Sequence, residues 1–439
     1  MQSPSSEEPS HGTSWQWDGE EGGEGEAPGD VIGGGGDGPW LSRRRMLLGA
    51  GVLAAGGAVW ALSRSGADGS PPAPAPPRPR PTAVSGPTPL WTYRGPEAMT
   101  PERLTDPPGR PVYLSRNGLQ VLDPVRGTAA RLLVFDPPPS RDWPSDLDLL
   151  GKVVLGPEQL FTTTYQGHLE ARHLTDPAAD WSLPLPDDLQ GDTRLTGYDR
   201  GVLYGYSWGR PRADGTPSDN RLFALRVTDR YVLWSVRTEH EEQPVTPAVD
   251  VGGHLLACVR FLGNRAELVA RDSDTGRELW TAPGDEDLRW CATDRQKVYV
   301  PDGNGGVRKL SPAGEPGWTY SPARGESWRA LPPVPDGPQV YVPTDHGVVT
   351  CHDATTGAVL WSCRLPFLLD RRSRPRVVGD MLFVPGPAAG GVCAIHTATG
   401  EPAWTFHDSG PGKDVWTVAA DGQHLYAGHD DILYALPLA

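Results

Sequence analysis

From about residue 90 to the C-terminus, apolar and polar positions alternate in short runs separated by Gly, Pro, Asp and Thr, the pattern of strands joined by tight turns. The strongest runs, of the type Val/Leu-Tyr/Phe, begin at Val112, Leu160, Val202, Leu255, Val298, Val340, Leu382 and Leu425. The steps between them are 48, 42, 53, 43, 42, 42 and 43 residues, so the region holds eight copies of one unit at a period near 42. Each copy reads as strand, short polar turn, strand, turn, strand. A more variable strand precedes it, as in Trp290-Cys291-Ala292, Val377-Val378 and Val415-Trp416-Thr417-Val418. Four strands per 40-odd residues predict an all-β architecture, an eight-bladed β-propeller of four-stranded antiparallel blades.

The third strand, its turn and the fourth strand are clearest over Ala270-Arg271-Asp272-Ser273-Asp274-Thr275-Gly276-Arg277-Glu278-Leu279-Trp280, where the Gly lies four residues before the Trp. The same spacing recurs at Gly357 and Trp361 and at Gly400 and Trp404. Asp-Thr-Gly supplies turn chemistry, with a glycine free to adopt positive φ. Other copies are degenerate. One has Trp181 after Thr175-Asp176-Pro177, one has Trp234 after Thr228-Asp229-Arg230, and one has Ala313-Gly314 before Trp318. The first copy has Gly127 but places Arg131 where the Trp would stand. The eighth stops at Ala439, before its last strand, and Leu90-Trp91-Thr92-Tyr93 has the character of that missing strand. The N-terminal strand is therefore expected to complete the C-terminal blade, which removes an exposed sheet edge.

The A-x-D-x-x-T-G-x-x-x-W pattern resembles the PQQ-like repeat of quinoprotein-type β-propellers over residues 90–439. The resemblance implies eight blades, with the blade Trp packed on its neighbour, a use that carries onto seven positions here: Trp91, Trp181, Trp234, Trp280, Trp318, Trp361 and Trp404. It also implies an alternative function, a PQQ-dependent oxidoreductase with PQQ and calcium in the central channel. Such enzymes set adjacent disulfide-linked cysteines against the cofactor. Cys258, Cys291, Cys351, Cys363 and Cys393 include no adjacent pair, so that feature has no counterpart here. No cofactor is expected on this reading. Cys351 and Cys363 stand symmetrically about Gly357 and could face each other across the hairpin, whether or not they bridge. No zinc spacing is present.

Composition changes the picture mainly at the N-terminus. Residues 1–40 hold nine acidic residues and neither Lys nor Arg, and they read as a disordered tail. Residues 41–64 contain Ser42-Arg43-Arg44-Arg45-Met46-Leu47-Leu48 and an apolar run to Leu62, which resembles a twin-arginine export signal or a single membrane anchor. Arginine on the amino side predicts a cytoplasmic N-terminus, with the remainder outside the cytoplasm as a single-pass membrane protein or, after cleavage, as a secreted one. Residues 65–89 are a Pro-rich linker. The formal net charge of −15 leaves about −11 on residues 90–439, which argues against a nucleic-acid partner.

Candidate binding residues fall on one face. Asp302, Asn304, Asp345, His346, His429 and Asp430, with Asp431, are all placed in turns between the second and third strands. The lengthened turn over Gly205–Asn220 adds Tyr206, Trp208, Arg210 and Arg212, residue types favoured in contacts. Glu239-His240-Glu241-Glu242 and Asp285-Glu286-Asp287, between blades, are expected to make the same side acidic and solvated. No nucleophile elbow or phosphate loop is present, and catalytic residues are not assigned. The sequence thus predicts a non-catalytic extracytoplasmic propeller that binds an envelope protein or a small extracellular ligand.

Overall fold

The computed structural model describes residues 86–438, apart from 96–110, 116–117, 135–152, 165–166, 190, 210–218, 246–247, 264, 285–287, 289–290, 302–304, 322–328, 409–411 and 413. The expectations for residues 1–40, 41–64 and most of the linker lie outside the described residues. Among those described, no helix is long and apolar enough to cross a membrane.

The chain forms eight antiparallel sheets, taken in sequence order as the blades of one ring. Seven of the eight strong apolar runs lie on the strand next to the inner edge of their blades, and the run at Val112 is the first of the three strands described in blade 1. Blade 6 comprises Val334–Asp336, Gln339–Pro343, Val348–Asp353 and Val359–Arg364, and blade 7 comprises Arg376–Val378, Met381–Pro385, Val392–His396 and Pro402–Phe406. Blade 1 shows three strands among the described residues. In blade 4 two short strands, Glu242–Pro244 and Asp250–Val251, share the inner edge of Leu255–Leu262. Blade 8 contains Thr417–Ala420, His424–His429 and Ile432–Pro437, and Trp91–Arg94 is its outermost strand. Trp91 pairs with Ala435 and Arg94 with Ile432, so the N-terminal strand closes the last blade.

Second and third strands are buried on both faces, which is why they read as near-continuous apolar runs. Val298 and Val300 pack toward blade 4 while Tyr299, between them, packs toward blade 6. Eight apolar clusters result, each shared by two consecutive blades, and the one joining Tyr113 and Leu122 to Tyr426 and Leu433 closes the ring between blades 8 and 1. Fourth strands are half exposed and alternate, as in Val359–Arg364.

The repeat motif has a physical meaning in this frame. Its first residue lies in register between the second-strand aromatic and the fourth-strand Trp: Phe383, Ala394 and Trp404 form one row, and Tyr341, Cys351 and Trp361 another. A small side chain is required there, because the two rings approach over it with centroids 5.7 Å and 5.8 Å apart. The motif Asp ties the turn: Asp353 Oδ1 accepts the N–H groups of Thr355 and Thr356 and the Thr356 hydroxyl. The Gly adopts φ of 71° at Gly276, 77° at Gly357 and 72° at Gly400. Each of these glycines receives the Trp of the preceding blade. A β-carbon on Gly276 would lie 2.6 Å from Trp234, and one on Gly357 would lie 2.5 Å from Trp318. The indole N–H then donates into the same turn, Trp234 to Ser273 O at 2.8 Å and Trp280 to Pro312 O at 2.8 Å.

The degenerate copies fill the same slot by other means. Arg230 takes positive φ (59°) in place of glycine, and its guanidinium covers Trp181 at 4.9 Å from the ring centroid. Arg131, standing where blade 1 would have its Trp, donates to His173 O and to Asp180 in the turn of blade 2.

Two expectations are corrected. Cys351 lies opposite Trp361 and Cys363 opposite Val349, because the turn is closed by Asp353 N donating to Ala358 O and so is centred on Thr355 and Thr356 rather than on Gly357, and all five cysteines are free. Glu242 is not on a solvated acidic face. Its side chain is fully buried between blades 3 and 4, where it accepts from Arg271 Nε at 2.6 Å and from Arg260 Nε at 3.1 Å.

Candidate interaction face

Antiparallel strands place the second-to-third turns and the blade-to-blade connections on one face, and the Trp-bearing turns on the other. On the first face, blades 6 to 8 form one continuous polar rim. It begins at the turn Thr344–Gly347, which carries the predicted Asp345 and exposed His346. Asp345 exchanges hydrogen bonds with Arg329: its N–H donates to Arg329 O at 3.0 Å and its Oδ1 accepts from Arg329 N at 2.9 Å. The connection leaving blade 6 folds onto this turn, with Leu365 N donating to Gly347 O and Leu369 N to Asp345 O. Gly347 is required there, since a β-carbon would stand 2.1 Å from Phe367 O. Phe367 itself wedges against Gly386 and Gly390 of blade 7.

The rim continues through Asp370-Arg371-Arg372-Ser373-Arg374-Pro375-Arg376. Asp370 Oδ1 accepts from both the backbone N and Nε of Arg372, whose Nη1 also donates to Asp414 at 2.8 Å. Burial raises the Asp370 pKa, but the Arg372 hydrogen bonds outweigh it and hold the carboxyl below its usual range. Arg372 therefore straps the connection after blade 6 to the connection after blade 7.

Blade 8 completes the rim with a buried polar knot. His429 Nε2 is 2.7 Å from Asp408 Oδ2, its Nδ1 is 2.9 Å from Asp430 Oδ2, and the Tyr434 hydroxyl donates to the same Asp408 oxygen at 2.6 Å. Trp416 covers the imidazole, with ring centroids 4.2 Å apart, and anchors to blade 7 through its Nε1 bond to Ala388 O. Burial, and then the bond to Asp408, push the Tyr434 hydroxyl well above its usual pKa. Asp431 holds the closing strand, accepting Gly95 N at its carbonyl and lying 3.5 Å from Arg94.

The structure thus gathers Asp345, His346, His429 and Asp430 on one face, but His429 is enclosed rather than presented. Tyr206 and Trp208 are elsewhere, in the strand Val202–Gly209 of blade 3 and not in a loop. Tyr206 is 4% exposed, with burial pushing its hydroxyl up to about 12. Trp208 is half-buried under the Arg194 guanidinium. Arg210, Arg212, Asp302 and Asn304 lie outside the described residues. Sequence reasoning missed Arg329, Arg364, Leu368, Arg371, Arg372, Asp408 and Asp414. Its available signal was the run 371–376, with four arginines in six residues of an otherwise acidic domain.

Among the described residues no three of His, Cys, Asp or Glu converge as a metal-binding group, and the cysteines are dispersed and buried. The described residues do not fit a calcium-supported quinone between paired cysteines.

The closed eight-blade ring and its turn-and-tryptophan repeat make the chain a PQQ-like β-propeller repeat protein. Residues 303–437 match the family model described as outer membrane protein assembly factor BamB. A curated relative, outer membrane protein assembly factor BamB of Burkholderia pseudomallei (strain K96243), is 31% identical over 137 residues, 30% of this chain and 35% of that protein. The chain thus spans about a third of the length of the curated relative it matches. Quinohemoprotein alcohol dehydrogenase ADHIIG from Pseudomonas putida HK5 superposes with a TM-score of 0.55 at 12% identity, over 81% of this chain and 77% of that one. The computationally designed Ika8 protein gives 0.55 at 10% identity, over 81% and 99%. At such identities these two likenesses speak to the fold alone.

Proposed function

We propose that this propeller is a non-catalytic cell-envelope module that holds another protein against the rim of blades 6–8. One observation carries the reading. The rim, from Arg329 to Asp431, falls inside the 303–437 segment that is similar to an outer membrane protein assembly factor. Its connections are fixed by side-chain bonds between blades, and rigid loops on a rigid scaffold are what a docking surface needs. Export through residues 41–64, as an anchor or a cleaved signal, would place the propeller where such a partner is met. The quinoprotein reading has the fold in its favour, but no metal-binding group converges among the described residues and the sequence has no adjacent cysteine pair.

Site-specific photo-crosslinking in cells tests the proposal. A crosslinker at His346 should capture one envelope protein, identified by mass spectrometry, and one at Val125, among the Trp-bearing turns, should not. Equal capture from both faces, or capture only from Val125, would refute it. A calorimetric titration of the full chain with PQQ and calcium tests the alternative. Micromolar binding with an absorbance change would restore the oxidoreductase reading.

A further inference from the structure

We infer that Arg364, Leu368 and Arg371 form the contact by which this face grips an acidic, extended segment of its partner; the inference rests on the docking reading above. The loop that follows blade 6 alternates sharply. Leu365 and Leu369 are buried, and Phe367 is wedged on the glycines of blade 7. Arg364, Pro366, Leu368 and Arg371 are left on the outside. Leu368 is 62% exposed, the most exposed large apolar side chain on this face among the described residues. Arg364 and Arg371 make no ion pair among the described residues, whereas Arg372 is consumed by Asp370 and Asp414. An exposed apolar side chain thus stands in sequence between two exposed arginines on a loop that is already ordered, so little conformational entropy is lost on binding.

Charge selects the occupant. Residues 90–439 carry about −11, and Asp345, which accepts Leu369 N at its carbonyl, and Asp370 and Asp414, which hold Arg372, lie against the loop. An anionic bilayer would meet that negative surface as a plane and be repelled. A narrow acidic strand reaches the arginines between the acidic side chains and pairs its carboxylates with guanidinium forks, while the net negative charge of the domain weakens its binding at other positions. A basic segment would find no unique position.

The test is fluorescence anisotropy on the full chain in mild detergent, with a fluorescein-labelled decapeptide alternating glutamate and leucine. Saturable binding is expected, weakened by about tenfold or more in R364E/R371E and in Leu368→Ser, and weakened by added salt. The unfolding temperature should not change, because all three side chains are exposed. Absence of binding, or equal binding by the variants, overturns the inference. So does variant-sensitive binding of phosphatidylglycerol vesicles without peptide binding. Crosslinking from His346 separates the two levels. A partner still captured in R364E/R371E leaves the docking reading intact and removes this contact. A partner captured only from the opposite face removes both.

Discussion

Trp361 of blade 6 rests on Gly400 of blade 7: a β-carbon on the glycine would stand 2.6 Å from the indole, whose N–H donates to Thr397 O at 2.7 Å. Glycine is needed twice over, for φ of 72° and for the space the ring occupies. Gly400→Ala should therefore cost about 3 kcal/mol, combining backbone strain with partial loss of the buried ring. Gly337 also has positive φ (55°) but faces open space. Gly337→Ala should cost about 1 kcal/mol. Denaturant unfolding of the two variants separates the contributions, and equal losses would show that the Trp contact adds nothing.

Ring closure depends on Trp91–Arg94. Deleting residues 86–94 exposes the edge of Ile432–Pro437 and removes Trp91 from Gly127 and from Pro124 O, to which it donates at 2.8 Å. That truncation should melt well below one lacking residues 1–85 and should aggregate through the open edge. Calorimetry that returns the same melting temperature for both would sink the closure account.

Glu242 sits fully buried between Arg271 and Arg260, and Arg271 also donates to Gly276 O at 2.9 Å in the turn that receives Trp234. Glu242→Leu strands two cations and should cost about 3–5 kcal/mol. Pairing it with Arg271→Met should restore much of that loss. A double-mutant cycle on chemical denaturation measures the coupling.

Asp421 connects the first two strands of blade 8 and accepts from Gln423 N, His424 N and the Tyr426 hydroxyl. Burial raises its pKa, but these bonds, led by Tyr426, outweigh the burial and leave it depressed. Its folded value lies below its unfolded one, so its contribution is full above the ordinary carboxylate range near pH 4 and is lost as pH falls through the folded value. Asp421→Asn should lower stability at pH 7 and flatten the slope of stability between about pH 5 and pH 2, as read from melting temperatures across that range.

The cysteines are predicted to be silent in the native state. Burial pushes Cys351 and Cys393 up to about 12 and Cys258 well above the usual thiol value. A thiol titration at pH 8 should therefore count close to zero in buffer and five in guanidinium. Three in guanidinium without reductant would mean that one disulfide exists.

How much of this was legible beforehand follows from which interactions are local. Second strands are buried on both sides and so are written as apolar runs, and the third-to-fourth turn is capped by its own Asp and Thr. Period, blade count and the closing role of Trp91–Arg94 could therefore be read directly. A contact between blades joins residues some 36 positions apart, such as Trp361 and Thr397. The chain shows that a Trp and a Gly recur, but not that Trp91, Trp234, Trp280, Trp318 and Trp361 each land on the next blade's Gly, or that Arg131 substitutes for a Trp. The same holds for charge. Glu242 looked like one more solvated acid, and only packing revealed it as the centre of a buried pair. His429 looked presented, and only packing enclosed it. Arg364, Leu368 and Arg371 carry no motif, because their exposure depends on which neighbours Leu365, Phe367 and Leu369 find to bury themselves against. Sequence determined the repeat and the ring, since both arise from patterns within one unit. Tertiary structure decided which polar groups face outward, since that depends on what the neighbouring blade supplies.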